Sequence, residues 1–191
     1  MSSTTRTEQV AQPLLEALVT EMLHYAGRST TQPGEASEES LTVAAERAAA
    51  KMERLGYSVG YRLTERLALG KTWTASASSS TTTEAAVAAQ QLEAVKFLCK
   101  DVWTEVFSRQ IDKLQTNHRG VFVLKDMDLP WLSSWPSQGE DARVLAIRLL
   151  AFPCGLIRGC LANLGIPAVV SCDFLADGHR MSCCSFNIKV K

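Results

Sequence analysis

Residues Leu92 to Lys125 read LEAVKFLCKDVWTEVFSRQIDKLQTNHRGVFVLK, and the fold turns on how this stretch divides. Leu92, Val95, Leu98, Cys99, Val102, Trp103, Val106 and Phe107 recur at steps of three and four, the spacing of one buried stripe on a helix. Lys96, Lys100, Glu105 and Arg109 fall between them, where they can reach water. The helical pattern runs on through Ile111 and Leu114 to the polar cluster before Gly120, which marks an exit and a turn. Val121 to Leu124 is a β-branched and aromatic run and predicts a strand. A long helix delivered straight into a strand implies a helix lying on a sheet.

The C-terminal side carries the plainest strand signal. Ala168, Val170, Cys172 and Phe174 alternate with polar or smaller residues, Asp177-Gly178 turns the chain, and Cys184, Phe186, Ile188 and Val190 alternate again. Between these runs, Asp126 to Pro130 reads as a turn and Trp131-Leu132-Ser133 as a short returning strand. Asp141 to Leu164 is helical, with Pro153 as a kink or a fresh start and Gly165 and Pro167 as its stop. Ala151, Gly155, Gly159 and Ala162 put small side chains on one face, which lets another backbone come close.

On the N-terminal side three helices are predicted: Val10–Tyr25, Leu41–Leu55 and Val59–Leu69, with Gly56 ending or bending the second. Gly27–Ser40 and Lys71–Thr83 are rich in Ser, Thr, Gly, Pro or Ala and bury too little to order themselves. The expectation is an α+β domain with helices packed on one side of a four-stranded antiparallel sheet. It forms a single domain over residues 1–191 with flexible loops near 27–40 and 71–83.

With 191 residues, 46% hydrophobic and 21% charged, the chain can bury a core without disulfides or metal. Lys+Arg and Asp+Glu both number 20, so the balance gives no general attraction to nucleic acid or anionic lipid. The start lacks an apolar signal stretch, and Val144–Leu164 is interrupted by Arg148, Arg158 and Asn163, so neither a leader nor a membrane span is expected. That places the protein in the cytoplasm with its six Cys reduced.

Reaction chemistry is hard to find. Cys172, His179, Cys183 and Cys184 cluster near the last hairpin, but no C-x-x-C pair exists and neighbouring strand residues point to opposite faces, so no metal is expected. Cys99 and His118 are the best nucleophile pair, yet Cys99 lies in the apolar stripe and no third orienting group is legible. Phosphate-binding glycine loops are absent, so no cofactor and no catalytic residue is assigned. Surplus apolar surface on the first two helices stands out instead. Leu14, Leu15, Leu18 and Met22 on the first, with Leu41, Ala45, Ala48 and Met52 on the second, form the candidate partner interface. The alternative is a small apolar pocket between helices and sheet, near Cys99 and Trp103.

Three stretches resemble a known family. They are Lys96 to Thr104 continuing through Thr116-Asn117-His118-Arg119-Gly120 to Leu124, Ala151 to Gly159 continuing to Ile166, and Lys51 to Tyr57 followed by Arg62 to Arg66. Together they resemble the small subunits of the TRAPP vesicle-tethering complex, in the branch called subunit six in animals and Trs thirty-three in yeast. The match covers nearly the whole chain outside the two loops. The resemblance implies a Bet-three-like fold and a heterodimer with a Bet-three-type subunit through the first two helices, with a homodimer as the alternative when the chain is alone. It implies contact with larger TRAPP subunits, and with a Rab-type GTPase only through the complex. It further implies an adaptor role in ER-to-Golgi and Golgi transport, peripheral at those membranes, with nucleotide exchange left to the assembly. The Bet-three branch carries an acylated cysteine after its third helix. Leu69 to Glu84 here contains no Cys, so acylation is not carried over.

Overall fold

A computed structural model describes residues 17–26, 38–69, 71, 84–117, 119–133, 140–174 and 182–191. Helix α1 spans 17–26. Helix α2 is Glu38–Ala68 and α3 is Glu84–Phe97; a π-helical turn, Leu98–Val102, joins α3 to the short α4, Trp103–Phe107. Strands β1 (Lys113–Thr116) and β2 (Val121–Asp126) follow, then α5 (Pro130–Ser133), α6 (Glu140–Asn163), β3 (Ala168–Phe174) and β4 (Cys184–Val190).

The central helix stops earlier than its apolar pattern suggests. Ser108 adopts φ 57° and ends α4, so Ile111 and Leu114 leave the helix although they keep its spacing. The π turn prepares this stop. Trp103 N–H bonds back to Leu98 O, and the Cys99 carbonyl accepts the Ile111 N–H at 3.2 Å, folding the chain back along the helix. Leu114 then sits in β1, opposite Leu124. The sheet does have four antiparallel strands, in the order β1-β2-β4-β3. The fourth is β1, however, and not Trp131–Ser133, which lies in α5. Pro130 explains the difference, because its fixed φ and missing N–H suit the first position of a helix.

Phe122, Leu124 and Asp126 of β2 face Ile188, Phe186 and Cys184 of β4, and all six are buried on the inward side. The aromatic core stands on this side. Trp103 lies 5.3 Å from Phe186 and 4.5 Å from Phe107; Phe107 meets Trp131 at 5.2 Å, and Trp131 meets Phe152 of α6 at 4.8 Å. These edge and tilted contacts are the arrangements that ring quadrupoles favour.

Residues 41–55 and 59–69, predicted as two helices, fall in the single 31-residue α2, about 45 Å long, apart from Leu69, which follows its end. Gly56 does not break it. Gly56 and Gly60 face α6, and a Cβ on either would overlap the α6 backbone at Phe152 or Leu156. Gly155 and Gly159 of α6 answer them, their Cβ positions overlapping the α2 carbonyls of Glu53 and Tyr57. Each helical glycine costs about 1 kcal/mol in backbone freedom; here two pairs let the two backbones touch. The closeness predicted from Gly155 and Gly159 is thus met, with α2 as the partner. Pro153 sits within α6 without ending it. The helix closes at Gly165, φ 75°, where Ile166 N–H reaches Leu161 O at 2.8 Å and Gly165 N–H reaches Ala162 O at 3.1 Å, a Schellman ending that Pro167 follows. Val144–Asn163 is long and apolar enough to cross a membrane by length and composition alone, a test that a buried core helix also passes, and 67% of that window is buried inside the chain.

Candidate partner surface

In α1, Val19 and Ala26 are buried, and Met22 and Leu23 pack against the core from its edge. The Lys51 ammonium reaches from α2 to the end of α1, donating to Ala26 O at 3.4 Å and sitting 5.9 Å from the Tyr25 ring centre. A cation at a helix C-terminus is favoured by the unpaired carbonyls there. Leu18 and Tyr25 face the other way, each 55% exposed.

Of the eight interface residues expected from sequence, the five with described side chains differ in exposure within this chain. Met52 is fully buried and Ala48 nearly so; both belong to the core of this chain. Met22 and Ala45 are half-buried, while Leu18 is open to water. Leu14, Leu15 and the side chain of Leu41 lie outside the described residues. A stripe at helical spacing shows that a face is buried; it does not say whether α1 of the same chain or another molecule covers it.

What remains outward on α2 is a different stripe. Val43, Arg47, Ala50, Arg54, Tyr57 and Tyr61 recur at steps of three and four, and all but the half-buried Tyr57 are exposed. Tyr57 and Tyr61 stack with ring centres 6.2 Å apart. Arg158 of α6 places its guanidinium 5.4 Å from the Tyr57 ring and pairs with Glu53 at 2.7 Å, fixing the stack from the side. Tyr and Arg held in place on a helix are the residue types that dominate protein interfaces. The stripe was readable, since its positions share one face, but a search for apolar spacing passes over Arg and Tyr.

The groups considered for chemistry are placed as follows. Burial pushes the Cys99 thiol up to about 12, with Cys160 nearby adding to it, and burial likewise takes Cys160 to about 12, so both stay neutral near pH 7. His118 and His179 lie outside the described residues. Cys154 is held protonated by its hydrogen bond to Cys172 and by burial, and burial keeps Cys184 protonated. Cys183 donates to Met127 O at 2.9 Å. No three His, Cys, Asp or Glu side chains among the described residues are grouped to hold a metal ion. Near Cys99, where the alternative apolar pocket is expected, Trp103, Phe107 and Phe186 are buried with their rings in contact.

Asp126 was read only as the start of a turn. It is fully buried at the end of β2, where it accepts hydrogen bonds from Trp103 Nε1 at 2.9 Å, Arg109 Nη1 at 2.9 Å and the Asp128 N–H at 3.0 Å. Burial raises its carboxyl above the usual carboxylate range, against the opposing pull of these donors. Arg109 also binds Asp112 at 2.9 Å and the Asp128 carbonyl, so the network ties the end of α4 to the end of β2.

The sequence profile of the family described as "Transport protein particle (TRAPP) component" matches residues 15–191. The chain belongs to the TRAPP component family. The Bos taurus protein named trafficking protein particle complex subunit 6B is 38% identical over 141 residues, 74% of this chain and 77% of the relative. The Homo sapiens protein named subunit 6A is 35% identical over 178 residues, 93% of this chain and 95% of its own length. Among solved structures, a trafficking protein particle complex subunit 3 from Naegleria fowleri, crystallised covalently bound to palmitic acid, superposes with a TM-score of 0.60 at 14% identity, covering 98% of this chain and 96% of that one. That likeness shows the fold of a TRAPP subunit of the Bet-three-like type, with helices and a four-stranded antiparallel sheet.

Proposed function

We propose that this TRAPP component is a non-catalytic adaptor subunit of the trafficking protein particle complex, built as one domain over residues 1–191. It pairs as a heterodimer with a Bet-three-type subunit through the α1–α2 flank. It contacts larger subunits and a Rab-type GTPase only within the assembly, which acts at the cytoplasmic side of ER–Golgi and cis-Golgi membranes. Guanine-nucleotide exchange belongs to the whole complex. The observation that carries the interface is the outward stripe of α2 beside exposed Leu18 and Tyr25, on helices whose other sides are already filled. Leu14, Leu15 and Leu41 extend that flank in the sequence, with Ala45 and Met22 at its border.

Co-expression with a Bet-three-type subunit tests this. The wild-type pair is expected to co-elute at the mass of a heterodimer, and the double substitution Leu18→Asp, Tyr61→Asp to elute as a separate monomer with unchanged helicity. Co-elution of the double variant would remove the flank from the interface. The mass of the chain alone decides whether it self-associates through the same surface.

A further inference from the structure

The face of the sheet turned away from the helices is a second surface, chemically unlike the first. Lys113 of β1 stands directly opposite Lys125 of β2. At the far end of the same face Lys189 of β4 lies between Val121 and Val169, the last of these 52% exposed on the edge strand. Like charges directly opposed across strands are destabilising, so a folded chain gains nothing by itself from the first pair. None of the three lysines has a carboxylate at ion-pair distance among the described residues, whereas Lys71 and Lys96 elsewhere are paired. The acidic residue on this face, Asp173, is engaged by Asn187 Nδ2 at 3.0 Å. A chain of net charge +0 thus concentrates on one sheet face positive charge that is unpaired among the described residues.

We propose that this outward sheet face docks an acidic segment of a partner protein. Carboxylates meet Lys113, Lys125 and Lys189, and apolar side chains between them lie on Val121 and Val169. The spacing suits an extended polypeptide. The Lys113–Lys125 pair and Lys189 are separated by the four positions from Lys125 to Val121, about 13 Å along the strand. A lipid surface fits less well, because lipid-binding clusters hold about four to eight basic residues and this face interleaves three with valines and an Asp. The proposal is independent of the α1–α2 flank, since the helices pack on the opposite side of the sheet.

The probe is a fluorescein-labelled peptide of alternating Glu and Val, read by fluorescence polarisation on the full chain. Binding is expected to weaken steeply with added salt, and to fall about tenfold or more in Lys125→Glu. The same peptide with Gln for Glu is not expected to bind. Lys113→Thr is expected to weaken peptide binding while raising the melting temperature, because it relieves the opposed pair. The Leu18→Asp, Tyr61→Asp variant is expected to bind the peptide normally, which separates this surface from the other. Equal binding of the Gln peptide, indifference to Lys125→Glu, or capture by phosphatidylserine vesicles without peptide binding would each overturn the proposal.

Discussion

Helix α2 has two sides that solve opposite problems. Toward α6 it is stripped to Gly56 and Gly60, and the contact is backbone on backbone, closed and finished within the chain. On its outward stripe it carries exposed Arg54 and Tyr61, with Tyr57 half-buried between Tyr61 and Arg158 of α6. Small residues mark the backbone seam with α6, and Tyr and Arg mark the outward stripe. Hydrophobicity alone does not sort such positions, since Met52 of α2 is fully buried and Leu18 of α1 is open to water although both are apolar.

The contrast breaks most visibly at the seam. Gly155→Leu or Gly159→Val is expected to cost about 3 kcal/mol or more, because the new side chain must displace a helix backbone; urea unfolding with an unchanged slope measures it. Unfolding at the wild-type midpoint would show that the seam is looser than its geometry. On the other side, Tyr61→Ala is expected to shift stability by less than about 0.5 kcal/mol but to weaken partner binding by about 2 kcal/mol, roughly thirtyfold, measured by titration calorimetry. Equal loss of stability at both sites would erase the distinction.

A smaller effect tests the interior that neither side shares. Asp126→Asn keeps an acceptor for Trp103 but turns its amide NH2 toward the Arg109 and Asp128 donors, and is expected to cost about 1–2 kcal/mol at neutral pH. The native carboxyl takes up its proton at a higher pH than the unfolded chain does. The native state therefore binds more protons in the window between the ordinary carboxylate range and the raised value. The stability contributed by Asp126 grows as pH falls through that window and is least above it. Wild-type stability should accordingly gain on that of the Asn variant on mild acidification; a constant gap across the melting series would refute it. Smallest in energy, thiol reactivity should rank the interior by access: half-buried Cys172 reacts with a disulfide reagent first, and Cys99 and Cys160 only on unfolding.

Strong periodicity made much of this fold legible. β3 alternates in burial over seven residues, β4 alternates apolar with polar residues in sequence although Ser185 is buried too, and α6 continues past its proline. β1 was hidden because four half-polar residues at a sheet edge carry no period of their own. Ile111 and Leu114 happen to continue the helix spacing, and Ser108 in place of glycine gave no stop signal. Trp131-Leu132 read as strand by composition until Pro130 set the backbone. The partner flank was half legible for a related reason. Spacing identifies Ala48 and Met52 as buried, but only the folded chain shows that the cover comes from within.

The π turn at Leu98–Val102 stores one residue of slack in a rod that otherwise advances by fixed steps. Removing a residue there, at exposed Lys100 for example, would take up that slack, restore an ordinary winding and leave the phase of the helix beyond nearly unchanged. The same deletion in the regular winding of α3 would turn everything beyond it by about a quarter-turn and carry the Trp103 indole off the Asp126 carboxylate. A change of length is thus absorbed or transmitted according to the winding of the segment that receives it.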